Sequence, residues 1–544
     1  MDTRVASEPC LREDLEWRRY CGLLDLTLEE WQALQEECLQ EQLELLSSVP
    51  WSRRLLGGRR LSGPEDLRAR MPLTTYADYA PFLSERKEDL LPAKPACWAY
   101  TSTSRGYGKW VPYTAQAVER LGDALMGAII LAAAGKKGEV NINRGEWAIY
   151  NVAPRPYLAG YMALVLRDRF GFRSIPPLEE AERMEFHQRV ERAFTMALRT
   201  GVDMICSLSS VLLRMGERFT HRAKRNNLPW WDLLHPRVLA RLVTAKARSR
   251  LGGHPILPKD LWHPKALLAW GMDTALFKEK IAYYWGRLPY QFYACTEAGI
   301  LALQGWNKKG LTFLPSSAYL EFLPEEEAGH LREDPEYTPV TVLLHQVQPG
   351  QRYEVVLTSL LGMPFLRYRT GHLIKVLGRE DPGAGVGLPQ VVQVGRSDEL
   401  IDLAGFTRLD ENTLWEAIVR ITGSPTEWVA CREAEDSTPI LHLYLERAGE
   451  GRAEEWAEAL HYHLQEVDAP YRDMAMMLGL YPVRVTFLTP GTFRAYQAEA
   501  LADQKDPFQA RVPRVNPSPR VVEALLRTSA RLNGSQGPGV PRGG

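Results

Sequence analysis

The chain has 544 residues, 45% of them hydrophobic, with 66 Lys and Arg against 67 Asp and Glu. That length suggests about two to four domains with sizeable cores. A net charge of −1 with both signs interspersed lacks the basic footprint of a nucleic-acid binder, so no nucleic-acid partner is expected. Seven cysteines, none spaced as C-x-x-C, argue against a disulfide framework or zinc site and for reduced thiols in a cytoplasmic protein. The N-terminal stretch is charged and lacks an apolar core, unlike a signal peptide. The longest apolar run, 124–134, is too short to span a bilayer, so no membrane partner is expected.

Residues 11–58 are helical in pattern, with Thr27 as an N-cap and Trp31, Leu34, Cys38 and Leu43 at helical spacing. Residues 71–82 read as a loop feeding a helical turn. A strand at 97–100 leads into a loop holding Thr101, Ser102, Thr103, Ser104, Gly106, Gly108 and Lys109. Such a loop suits a polyphosphate: hydroxyls and backbone N–H groups donate to phosphate oxygens, glycines permit close approach, and the lysine adds charge. Taken alone, the composition fits an ordinary surface turn better. Thr114 then caps a long helix to Ala134.

Strands at 146–152, 203–206, 265–270 and 289–293 alternate with helices at 160–170, after Ser207 to Phe219, and at 273–285. This alternation predicts a mostly parallel sheet in an α/β domain. From Leu311 short strands dominate, at 311–314, 318–323, 340–345, 352–359, 372–377 and 390–395, as a small sheet or barrel attached to the α/β body. Residues 380–389 read as a flexible hairpin loop. Beyond Arg396, helices at 412–421 and 453–467 and strands at 440–445 and 483–488 make a compact α+β domain. His461 and His463 read as surface residues, and the basic stretches 221–225 and 245–250 as solvated helix faces. The predicted organisation is an N-terminal extension (1–25), a large domain (26–400, its β-rich part about 311–396), a small mobile domain (401–526) and a disordered tail (527–544).

Several segments join the hydroxyl-rich loop in order along the chain. They are Pro72-Leu-Thr-Thr-Tyr-Ala-Asp-Tyr79, Thr103-Ser-Arg-Gly-Tyr-Gly-Lys109 followed by Pro112, and Tyr293-Ala-Cys-Thr-Glu297. Further on come 313–322, 347–358, Tyr368-Arg-Thr-Gly371, Gly491-Thr-Phe493 and Val512-Pro-Arg514. Together they resemble the adenylate-forming superfamily, and within it the Gretchen Hagen family of acyl-acid amido synthetases. The resemblance covers about residues 30–520.

The resemblance implies ATP- and Mg²⁺-dependent activation of a small carboxylic acid as an acyl-adenylate, then transfer to an amine or amino acid. A carboxylate is a poor electrophile and AMP a good leaving group, so the protein must mainly hold two anions together and neutralise charge. By resemblance, Thr101, Ser102, Thr103, Ser104, Gly106 and Lys109 face the phosphates, and Glu297 reaches Mg²⁺. Tyr293 to Thr296 line the adenine, His372 stands at the ribose, Arg396 opens the hinge, and Arg511 meets the reacting groups. A monomer is expected. Four positions depart from the family pattern. Ser102 replaces a glycine, His372 an aspartate that binds ribose hydroxyls, and Arg511 a lysine, while Arg408 is the nearest cation to an unmatched hinge lysine. Neutral imidazole has one acceptor nitrogen against two carboxylate oxygens, so bidentate ribose binding is lost. The alternatives are therefore an acyl-CoA ligase, or a catalytically impaired homologue that binds or regulates.

Overall fold

The computed structural model describes residues 8–47, 49, 60–101, 109–184, 186–222, 235–270, 274–334, 336–396, 401–403, 407–409, 411–423, 426–435, 438–447, 451–502, 512, 514–517 and 519–535. The chain divides into two compact units, 1–101 with 108–397 and 102–107 with 398–544.

In the larger unit, β1 (Cys97–Thr101) and β2 (Lys109–Tyr113) pair antiparallel as a hairpin of their own. Thr114 follows and caps the helix Ala115–Ala133, accepting from the Ala117 N–H at 3.1 Å. The main sheet begins with a parallel half: β3 (Trp147–Asn151), β4 (Arg173–Ile175), β5 (Met204–Leu208), β6 (Ala266–Trp270) and β7 (Tyr290–Cys295). Met204 and Ile205 of β5 and the run Ala266–Ala269 of β6 are fully buried, as expected for parallel strands covered on both faces. The chain then reverses into β8 (Gly299–Gln304), β9 (Leu311–Phe313), β10 (Ala318–Pro324), β11 (Arg352–Ser359), β12 (Tyr368–Gly378) and β13 (Gln390–Arg396). These continue the same sheet in the order β10-β11-β12-β13-β9-β8-β7-β6-β5-β3-β4.

The antiparallel half curls. β7 and β12 stand four places apart, roughly 19 Å in a flat sheet at about 4.8 Å per strand. Yet the Tyr293 hydroxyl on β7 lies 2.8 Å from Nδ1 of His372 on β12. The β-rich stretch is thus a sheet extension bent towards a barrel, with Phe313, Phe322 and Tyr293 fully buried. This curl brings together segments far apart in sequence.

Several expectations are corrected. Residues 340–345 form no strand: Val342 makes a single bridge to Phe322 and the chain then enters a 3₁₀ turn at Leu344–Gln346. The Gln346 side chain caps that turn by accepting from the Leu343 N–H at 2.8 Å, which ends the pairing. The 380–389 loop is folded on itself through an Asp381–Val386 bridge, with Val386 and Leu388 buried. The N-terminal segment is no appendage. The helix Glu8–Cys21 places Trp17 and Cys21 in the main core, and a Cβ on Gly127 would meet the Tyr20 carbonyl oxygen at 2.4 Å.

The smaller unit holds the ribbon β14 (Ile401–Leu403) and β15 (Thr407–Leu409), and the sheet β16 (Trp428–Glu435), β17 (Thr438–Glu446) and β18 (Val483–Leu488). The helices Ala453–Val467 and Ala469–Leu478 form the crossover between parallel β17 and β18. Residues 527–535, expected to be disordered, instead complete the helix Pro519–Ser535. Leu525 packs with Phe493, and Ser529 Oγ accepts from the Thr489 N–H at 2.8 Å. His461 is half-buried rather than on the surface, with its ring against Tyr471 and Tyr481. His463 pairs with Glu466 at 2.9 Å.

Candidate active site

Lys109 is the first residue of β2 and pairs across the hairpin with Thr101, the last of β1. Thr101 itself is half-buried. Lys109 Nζ sits over the rings of Tyr76 and Tyr368, at 5.3 Å and 5.7 Å from their centroids. It donates to the Tyr368 hydroxyl at 2.9 Å, and that hydroxyl donates to Glu297 Oε1 at 2.8 Å. Lys109 Nζ also lies 3.5 Å from Glu297 Oε1. Lysine, tyrosine and glutamate thus form one closed triangle of charge-assisted contacts, stronger than neutral hydrogen bonds.

Glu297 occupies the tight turn between β7 and β8. The Tyr113 hydroxyl donates to the Thr296 carbonyl at 2.6 Å and fixes that turn to the end of β2. The Cys295 thiol beside it is held well above its ordinary pKa by burial, and further by the Glu297 charge, so it is no thiolate nucleophile. The second contact, Tyr293 with His372, lies four residues before Glu297 and four after Tyr368. Tyr293 is 1% exposed and packs edge-on against Phe313 and His372. His372 is 7% exposed and lies inside the sheet between β11 and β13, not at an edge. Arg396 closes β13, its backbone opposite His372.

Tyr368 is held from three sides. Thr74, in the loop before the helix Tyr76–Leu83, bridges it: the Thr74 N–H donates to the Arg367 carbonyl and the Arg369 N–H donates to the Thr74 carbonyl, at 2.9 Å and 2.8 Å. Arg367 has φ +42° and is 4% exposed. Its guanidinium donates to Glu321 Oε2 at 2.8 Å, to the Thr341 hydroxyl and to the carbonyls of Arg68 and Met71. Arg369 forms a two-pronged pair with Glu354 on β11, at 3.1 Å and 2.7 Å. A left-handed backbone at a non-glycine residue costs of order 1–3 kcal/mol, and here the buried ion pair over-determines it.

Of the predicted site residues, the fold therefore joins Lys109 to Glu297 and Tyr293 to His372, with Thr101 and Thr296 on the flanking backbone. Ser102, Thr103, Ser104, Gly106 and Arg511 lie outside the described residues. Sequence reasoning quoted Tyr368 in a motif without a role, and missed Arg367, Glu321, Glu354 and Tyr76 as its supports. Among the described residues no group of three His, Cys, Asp or Glu could hold a metal. Glu297 supplies one carboxylate. That fits Mg²⁺, which is commonly held by one or two carboxylates together with substrate phosphates. Position 372 does not fit a bidentate ribose acceptor, since Nδ1 already meets Tyr293.

The curled sheet, the β1–β2 hairpin and the α+β unit make up a fold found in solved structures of ligases. An acyl acid amido synthetase, AtGH3.15 with 2,4-DB, shares it with a TM-score of 0.51 at 17% identity, covering 95% of each chain. A 2-hydroxyisobutyryl-CoA ligase shares it with a TM-score of 0.56 at 16% identity, covering 89% of this chain and 94% of that one. Within that class, residues 22–150 match the GH3 family N-terminal domain and 311–382 the GH3 family central domain. In these two segments the chain is similar to the GH3, or Gretchen Hagen, family. Relatives include a human GH3 domain-containing protein, 27% identical over 40% of this chain and 40% of its own. Another is the indole-3-acetic acid-amido synthetase GH3.8 of Oryza sativa subsp. indica, 27% identical over 39% of this chain and 36% of its own. The matches thus span about two fifths of these relatives' length.

Proposed function

We propose that the protein uses ATP and Mg²⁺ to convert a small carboxylic acid into an acyl-adenylate and passes the acyl group to the amine of an amino acid. The observation that carries this is the Lys109–Tyr368–Glu297 triangle, whose lysine follows the hydroxyl-rich stretch in the sequence. ATP would supply the adenylyl group, and a bound Mg²⁺ would offset the charge of the pyrophosphate that leaves. The chain's own residues bind and orient. Lys109, 24% exposed at its side chain, offers a positive charge to a phosphate, and Glu297 offers its carboxylate to the cation. Tyr368 keeps the two in register. Thr101, Ser102, Thr103, Ser104 and Gly106 would line the phosphates, Arg511 would meet the reacting carboxylate, and Arg396 would open the hinge. Amide formation is favoured over thioester formation by the amido synthetases among the relatives.

A second reading, binding without turnover, is favoured by His372, whose engagement with Tyr293 weakens the ribose site. Hydroxylamine trapping over a panel of carboxylic acids separates the two. Hydroxamate formed with ATP and one acid supports activation, and none with any acid refutes it. Amino acids supplied against coenzyme A then identify the acceptor.

A further inference from the structure

The helix Pro236–Gly252 takes no part in the site above, and it has two unlike faces. Val238, Ala245 and Ser249 are buried against the body. On the opposite face Leu239, Val243 and Leu251 are 52%, 61% and 90% exposed. With exposed Ala240 and Ala247 they fall on one stripe, because residues four apart stack on a helix. At 100° per residue, Lys246 borders this stripe on one side and Arg237 and Arg248 on the other, while Arg250 falls within it between Leu239 and Val243; all four are exposed, and Arg248 also donates to the Asp260 carbonyl. Residues 236–252 hold five Lys and Arg and no Asp or Glu, in a chain whose net charge is −1. The neighbouring Asp260 is 5% exposed and accepts from the Leu257 N–H, so it does not neutralise the outer face.

We propose that this helix seats the protein peripherally on an anionic phospholipid bilayer. The charge of the helix is complementary to such a surface, and the pattern is that of an interfacial helix. Apolar side chains enter the acyl boundary, while long cationic side chains on both flanks reach the phosphates. A convex ridge of apolar side chains with cations among and beside them suits a plane of lipid. An acidic protein would have to supply a pocket for Leu251 and acidic groups on both flanks at once. The proposal replaces the expectation of no membrane partner. No helix among the described residues is long and apolar enough to cross a membrane, so the contact is by surface seating.

The test is co-flotation of the full chain with vesicles of phosphatidylcholine alone or with one third phosphatidylserine, at low and physiological salt. The wild type is expected to float with the phosphatidylserine vesicles only, more strongly at low salt. Lys246→Gln with Arg250→Gln should lower partitioning about thirtyfold, from about 1 kcal/mol per cation near the surface. Leu239→Ser with Val243→Ser, which keeps every charge, should lower it at least tenfold. All four positions are exposed, so melting temperatures should match the wild type and certify folding. Failure to float with phosphatidylserine vesicles, flotation unchanged by either pair, or binding to a soluble acidic polypeptide with none to vesicles would overturn the proposal.

Discussion

At the residue scale the account turns on Tyr368. Its hydroxyl accepts from Lys109 and donates to Glu297, so it fixes the geometry of a cation and an anion already 3.5 Å apart. Tyr368→Phe keeps the buried ring and deletes these two bonds. Hydrogen bonds to charged groups contribute about 1.5–3 kcal/mol, so acyl-adenylate formation should fall about ten- to a hundredfold. A far-UV melt unchanged beyond a few degrees would separate this from unfolding. Glu321 makes the opposite kind of prediction. It is 1% exposed and faces both Arg367 and Arg68. Glu321→Gln leaves two guanidinium groups under-compensated and should destabilise the larger unit by about 3–5 kcal/mol, read as a lower denaturant midpoint. An unchanged midpoint would mean that the pair does not hold the Arg367 backbone. Neither residue was legible in the sequence as a partner of the other. Glu321 and Arg367 are 46 positions apart, and only the pairing of β10, β11 and β12 joins them.

At the element scale the helix Ala115–Ala133 depends on its cap. Thr114 accepts from Ala117 and also donates to the Leu361 carbonyl at 2.7 Å, while 5% exposed. Thr114→Ala should cost about 1–2 kcal/mol of stability, measured by chemical unfolding. This cap was legible because its signal is local: one hydroxyl residue before an apolar run. β8 was not, because a fully buried run such as Gly299–Gln304 has no alternation to mark it. The sheet β16–β17–β18 carries a pH dependence. Burial holds the His442 imidazole below its ordinary pKa, although Glu433 lies 2.8 Å away. Burial also pushes the Glu433 carboxyl up, but hydrogen bonds from His442 and Tyr444 outweigh it and leave it lowered. Both groups therefore bind fewer protons when folded. Their contribution is present at neutral pH and is lost as pH falls, first below about 6.5 for the histidine and then below about 4.5 for the carboxyl. Hydrogen exchange of β17 should quicken in the first window, and His442→Gln should flatten that slope. An identical slope in the variant would assign the effect elsewhere.

At the scale of the whole molecule, the alternation of strands and helices was readable at β3, β5 and β6 because each is a short apolar run with its own helix after it, whereas the three-residue β4 was not. The motif order pointed to the family for the same reason: each motif is contiguous. The site itself is a product of the curl between β7 and β12, and no local pattern encodes that closure. The central claim is that this closure builds the phosphate end of an adenylation site around Lys109 and Glu297. The most direct measurement is acid-dependent exchange of labelled pyrophosphate into ATP, run for the wild type and for Glu297→Gln over a panel of carboxylic acids. The account predicts exchange with at least one acid and a fall of tenfold or more in the variant. Exchange with none of them, or exchange that Glu297→Gln leaves untouched, would contradict it.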